Sequence, residues 1–189
     1  MSSHPISRFD VPDIADVPDD IREKILAVQE KSGFVPNVFL AFARRPDEFR
    51  AFFAFHDALM EKSDGLSKAE REMIVVATSA TNHCLYCVVA HGAILRIRAK
   101  NPLLADQLAT NPTKADLSER ERAIVGFALR VAGDSASITD DDLEAMRAKG
   151  FTDDEIWDIG AITALFALSN RYANFSGMRP NDEFFGMAR

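Results

Sequence analysis

The sequence predicts an all-α protein with no significant sheet, on three observations. Apolar residues recur at steps of three and four, as in Ile21, Ile25, Leu26 and Val28, the repeat of a helix face. Serine followed three residues later by glutamate occurs at Ser67/Glu70 and Ser118/Glu121, the reciprocal bonding pattern that starts helices. No stretch reads as a convincing strand.

Residues 6–17 carry Asp10, Pro12, Asp13 and Asp16 and read as an extended lead-in to Pro18, a residue suited to a helix start. A helix over Asp19 to Lys31 stops at Gly33, and Phe34-Val35-Pro36-Asn37 links it to a brief apolar helix from Val38 to Arg44. Pro46 opens the next, to about Lys62. Its Phe49, Phe52, Phe53, Phe55 and Leu59 cover more than one face, which predicts core packing against several neighbours or a subunit interface. His56 there reads as a hydrogen-bonded core or surface residue.

Asp64-Gly65 breaks the chain, and the helix capped by Ser67 runs through Met73, Ile74, Val75 and Val76 to a bend at Thr81-Asn82-His83. The next helix starts close to Cys84 and ends near Lys100, where Arg96, Arg98 and Lys100 read as a solvated face matched to the C-terminal dipole. Asn101-Pro102 starts a short helix to Ala109. Ser118 starts another, Thr139 one that stops at Gly150, and Thr152 the last long one, to about Phe175. In that helix Ile156, Ile159, Ile162, Leu165, Phe166 and Leu168 are apolar enough to be central, and Trp157 reads as a packing residue. Asn170-Arg171 reads first as a structural salt bridge and second as a brace for the site. Phe184 and Phe185 in the tail are candidates to dock on the body or on another subunit.

Leu66, Ser67, Glu70, Arg71 and Ile74 recur 51 residues later as Leu117, Ser118, Glu121, Arg122 and Val125, which suggests two related helical units. The second has Ala123 at the place of Glu72 and no cysteine, so it would keep the packing and omit the chemistry.

Length and composition set bounds. The 189 residues suit one domain, 1–189, and 27% charged with 47% hydrophobic residues is ordinary for a globular chain. The net charge of -7 gives no general field for a polyanion, which argues against nucleic acid or an acidic membrane surface as main partner. Met1-Ser2-Ser3-His4-Pro5 carries no basic and apolar signal region, and no apolar run reaches about 18 residues, so a cytoplasmic location without a membrane span is expected. Two cysteines three apart are poor staples in a reducing compartment, so their pairing reads as chemistry.

Both cysteines lie in Asn82-His83-Cys84-Leu85-Tyr86-Cys87-Val88-Val89-Ala90-His91. On a helix Cys87 falls about 60° from Cys84 and His91 about 40° from Cys87, so two thiols and an imidazole share a face. The helix N-terminus favours a thiolate on Cys84, whereas a base four residues on favours Cys87; the specific base is weighted above the diffuse dipole, which makes Cys87 the attacking and Cys84 the resolving sulfur. Attack on a peroxide would give a sulfenic acid, then a disulfide that an outside thiol must reduce. Glu72 could orient the base if the bend folds its helix back; in isolation it reads as a surface partner of Arg71. A Cys/His metal site completed by Glu72 or His83 is a competing reading, weakened because ligands on one continuous helix converge poorly. Inert thiols in a non-catalytic oligomer, a redox sensor and a general thiol-disulfide oxidoreductase are the others.

Glu72, Cys84-x-x-Cys87 and His91 together resemble the pattern of the AhpD-like alkylhydroperoxidases within the carboxymuconolactone decarboxylase superfamily. The match is best over about Phe49 to Ile97, the redox core, with helical extensions on both sides. Gly33-Phe34-Val35-Pro36-Asn37 and the Asn170-Arg171 region resemble its longer, peroxidase-related branch. The resemblance implies an AhpD-like helical bundle that assembles as a homo-oligomer (dimer, trimer or hexamer). It also implies a cofactor-free, metal-free disulfide cycle with Glu72, Cys84, Cys87 and His91 as its relay, a hydroperoxide as substrate and a thiol donor such as a lipoylated protein. Decarboxylase members generally lack the paired cysteines. The family has a histidine where this chain has Tyr86, a poor base near neutral pH; Tyr86 and His83 are the candidate substitutes in the relay.

Overall fold

The computed structural model describes residues 5–189, and the polar opening at 1–4 lies outside the described residues. Among the described residues there are ten α-helices and no strand. They are α1 (Asp19–Ser32), α2 (Asn37–Ala43), α3 (Pro46–Met60), α4 (Lys68–Thr81), α5 (Leu85–Ala99), α6 (Leu104–Thr110), α7 (Glu119–Asp134), α8 (Asp140–Ala148), α9 (Asp153–Ser176) and α10 (Glu183–Gly186). None is long and apolar enough to cross a membrane.

Local chemistry sets the boundaries. Ser67, Ser118 and Thr152 each accept the backbone N–H three residues on, while the acid there accepts theirs, closing the capping boxes of α4, α7 and α9. Gly33 and Gly177 end α1 and α9 at φ 83° and 65°, a left-handed conformation that glycine adopts without a Cβ penalty. The helix expected from Asn101-Pro102 begins later, at Leu104, because the Asn101 side chain accepts the Leu103 N–H and holds a turn there. The four-residue α10 is too short for a periodic signal.

The two related units are visible in their hydrogen bonds as well as their caps. Arg71 donates to the carbonyls of Leu59, Lys62 and Asp64 at 3.0, 3.2 and 2.6 Å, clamping the turn before α4. Arg122 does the same before α7, to Thr113, Ala115 and Leu117. Arg71 is fully buried and Arg122 is exposed. Arg120 joins the units to the last helix: it donates to Glu70 at 2.7 Å and to Glu155 at 2.6 Å, the capping-box acids of α4 and α9, and lies over the Phe151 ring.

Helix α4 packs against α5, α6, α7 and α9 and is buried over Glu70 to Ser79, as a central helix must be. Ile21, Ile25, Phe49, Phe53, Ile74, Ile159 and Phe166 belong to one large apolar cluster, and Met73, Val76, Leu95, Leu108 and Val125 to a smaller one against α6 and α7. Each large side chain so buried contributes about 1.5–3 kcal/mol relative to exposure.

Several expectations are corrected. Arg96 is buried, not solvated: its guanidinium donates to the carbonyls of Phe184 and Met187 and fastens the tail to α5. Phe184 packs edge-on against Phe34, while Phe185 stays exposed. Trp157 is 75% exposed, and Leu168 and Phe55 about half, because each falls on the outer side of its helix. Arg171 forms no ion pair among the described residues; it donates to the Ala167 carbonyl on the surface.

Candidate active site

The bend expected at Thr81-Asn82-His83 is tight. His83 takes a left-handed φ of 52°, and the Cys84 N–H returns to the Ser79 carbonyl at 3.0 Å. The reversal lays α5 along α4, so Glu72, twelve residues before Cys84, comes beside His91. Nδ1 of His91 and Oε2 of Glu72 are 2.8 Å apart, so the ring donates there and Nε2 is left to take a proton. Glu72 is thus turned inward, and the surface pairing with Arg71 does not form. Phe166 of α9 meets the His91 ring edge-on at 4.7 Å.

Cys84 is the N-cap of α5, and its Sγ accepts the Cys87 N–H at 3.4 Å. Both sulfurs are free thiols in residues 1% exposed, and the Cys87 Sγ lies 3.9 Å from Ser169 Oγ. The neighbouring Cys87 thiol draws the Cys84 titration down to about 7. Burial opposes this shift; the Cys87 N–H, the Asn170 side chain and the charge of His91 reinforce it. The Cys84 sulfur beside it, then burial, pushes Cys87 well up from the ordinary thiol range. The i,i+4 spacing to His91 favours charge on Cys87, whereas these shifts favour it on Cys84. His91 is engaged by Glu72, and among the described residues no hydrogen bond joins it to either sulfur.

The two candidate relay substitutes lie elsewhere. Tyr86 is buried, and its hydroxyl accepts the Val38 N–H at 3.1 Å, pinning the start of α2 over α5. Burial raises its pKa further above neutrality. His83 is exposed at the bend. His56 pairs with Asp57 at 3.0 Å and packs beyond Phe166. Among the described residues no cluster of three or more His, Cys, Asp or Glu is placed to hold a metal ion.

Two residues of the site, Ser79 and Ser169, carried no specific signal, each an ordinary small polar residue in an apolar helix. The fully buried Asn170, bonded to Ser79, reads in the sequence as a second-choice brace for the site. Only the polarity of Asn170 in the apolar run of α9 marked it.

The carboxymuconolactone decarboxylase family profile matches residues 46–110, from α3 to α6. A peroxidase-related protein of Ralstonia eutropha JMP134, described as having an alkylhydroperoxidase AhpD core, is 66% identical over 99% of this chain and 98% of its own, with a TM-score of 0.97. A peroxidase-related protein of Silicibacter sp. TM1040 is 40% identical over the whole of both chains, with a TM-score of 0.93. The debrominase Bmp8 shares the fold at 18% identity and a TM-score of 0.78, over 97% of this chain and 95% of its own. A search of curated proteins finds no match. At such identity over full length, with a helical fold throughout, the chain belongs to the AhpD and carboxymuconolactone decarboxylase superfamily, in its peroxidase-related branch.

Proposed function

We propose that the protein reduces hydroperoxides through a Cys84–Cys87 disulfide cycle, as an alkylhydroperoxidase-like antioxidant enzyme. The observation that carries this is the thiol pair itself: two free cysteines at a helix N-terminus, the Cys87 N–H donating to the Cys84 sulfur and Cys84 drawn down to about 7, beside a Glu72–His91 couple. The Cys84 thiolate attacks the terminal peroxide oxygen, the O–O bond breaks, and the departing alkoxide takes a proton to leave as alcohol. Sulfur is oxidised to sulfenic acid in that step. The Cys87 thiol then displaces hydroxide, which leaves as water once protonated, and the disulfide forms. His91, held by Glu72, accepts and returns the protons. A dithiol donor reduces the disulfide by exchange; a lipoylated protein is the donor the family resemblance implies.

One equivalent of cumene hydroperoxide is expected to remove both free thiols of the purified, metal-free protein, and a dithiol to restore them. Two thiols that survive, while peroxide is consumed by a control thiol, would refute the cycle. Tyr86→Phe is expected to keep the peroxide rate within about threefold while losing about 1 kcal/mol of stability with the bond to Val38. A hundredfold slower variant would instead make Tyr86 part of the relay.

The working form is a homo-oligomer, paired through α9. Trp157, Ala161, Ala164, Leu168 and Phe175 follow one another at steps of four, three, four and seven along its outer face, the seam of a helix pair. Asp154 lies at one end of the seam, and Arg171 and Arg179 at the other, so antiparallel packing on a second copy sets opposite charges together. Trp157→Glu is expected to reduce the mass in sedimentation equilibrium to that of a smaller assembly. An unchanged mass would place the interface elsewhere.

A further inference from the structure

The mechanism above leaves one polar group beside the sulfurs without a task. Asn170 is 0% exposed, inside the longest helix, where an amide is expensive to bury unless every bond is made. Its Oδ1 accepts the Asn82 side-chain amide at 2.9 Å, and its Nδ2 donates to Ser79 Oγ at 2.9 Å. In this arrangement the oxygen accepts from Asn82 and the nitrogen faces Ser79. One N–H of Nδ2 then remains, behind the turn whose Cys84 N–H the Ser79 carbonyl holds and next in sequence to Ser169, whose hydroxyl lies 3.9 Å from Cys87 Sγ; the amide draws both thiols downward.

The supports of this amide are the supports of the cysteine turn. The Ser79 carbonyl holds the Cys84 N–H at 3.0 Å, Asn82 closes α4 two residues before Cys84, and Asn174 donates to the Asn82 carbonyl at 3.0 Å. The neighbouring Ser169 presents its hydroxyl to Cys87. Helix α9 therefore reaches the pair with neutral groups only. The titratable groups around it are Glu72 on α4, Tyr86 and His91 on α5 and, behind Phe166, His56 on α3.

We propose that Asn170 is a built-in hydrogen-bond donor for the thiolate of the Cys84/Cys87 pair, with Asn82 and Ser79 as the positioning residues that keep its amide nitrogen turned toward sulfur. A fixed neutral donor holds the anion in a buried place without the cost of a second buried charge. It also serves whichever sulfur bears the charge as the proton passes between them. This deepens the peroxidase reading and rests on it, since a thiolate matters most where sulfur must attack.

The test measures thiolate alone and needs no peroxide. Absorbance at 240 nm and the rate of alkylation by iodoacetamide are followed against pH for the full-length parent, Asn170→Asp and Asn82→Ala. Asn170→Asp keeps the shape, replaces the donor by an acceptor, and is expected to raise the titration midpoint by about one unit, a roughly fivefold loss of alkylation at pH 7. Asn82→Ala removes the orienting bond from a half-buried position and is expected to lose about twofold. A folded Asn170→Asp that titrates like the parent overturns the proposal; if that variant does not fold, Asn82→Ala with an unmoved midpoint does so. Shifted midpoints in a protein whose thiols ignore peroxide would uphold the thiolate site and remove the peroxidase reading, and the reverse pattern would do the opposite.

Discussion

In the Cys84→Ser variant, peroxide-dependent turnover is expected to fall by roughly a thousandfold or more, because a hydroxyl is neither acidic enough nor nucleophilic enough to replace a thiolate. Cys87→Ser should lose turnover as fully and for a different reason. It retains a hydroxyl that can donate to Cys84, so the first step persists and the protein stops after one equivalent, with a sulfenic acid on Cys84. A dimedone-type probe read by mass spectrometry distinguishes the two variants. Label on Cys84 in Cys87→Ser, and none on Cys87 in Cys84→Ser, is the expected pair of results. Label on Cys87 alone would restore the order that the His91 spacing favours. The pH dependence follows from the Cys84 titration near 7: attack requires the deprotonated form, so the rate rises through neutrality, and at pH 6 it is about a tenth of its alkaline plateau.

The second large effect concerns stability. Arg71→Met is expected to cost about 3–5 kcal/mol, since it removes a fully buried cation from the buried Leu59 carbonyl and from those of Lys62 and Asp64 at the edge of the interior, and leaves Asp158, 4.0 Å away, without it. For a chain of this length that is a fall of about 6–20 °C in the thermal midpoint. Arg122→Met supplies the control. It makes the same three-carbonyl clamp at the equivalent position of the second unit, but in water, where the carbonyls re-hydrate, so a loss below about 1 kcal/mol is expected. Equal losses in urea titrations of the two variants would show that the clamp, and not its burial, carries the energy.

Most of the fold was legible because its determinants are local. Capping boxes, glycine stops and three-to-four spacing are written in adjacent residues, and they place the start of α4, α7 and α9. The thiols and His91 were legible for the same reason. What failed was long-range. The side chain of Arg96 looks like any charge in a last turn until the tail, some ninety residues on, supplies two carbonyls. Which face of α9 would be covered depends on α4 and α7, so Trp157 could not be placed outside from its own neighbours. The amide of Asn170, bonded to Ser79 and Asn82 behind the cysteine turn, is likewise a neighbour that helical angles do not contain.

The 1% exposure of both cysteines bears on timing as well as on charge. A reagent can meet sulfurs so buried only when the packing around them opens, so the frequency of that opening is a ceiling on every bimolecular reaction at the site. Two oxidants of very different intrinsic reactivity would then saturate at one common rate, independent of their concentration. A narrow dithiol on a flexible arm would pass through openings that turn a bulky tripeptide thiol away, which makes the surrounding packing a clock and a sieve at once.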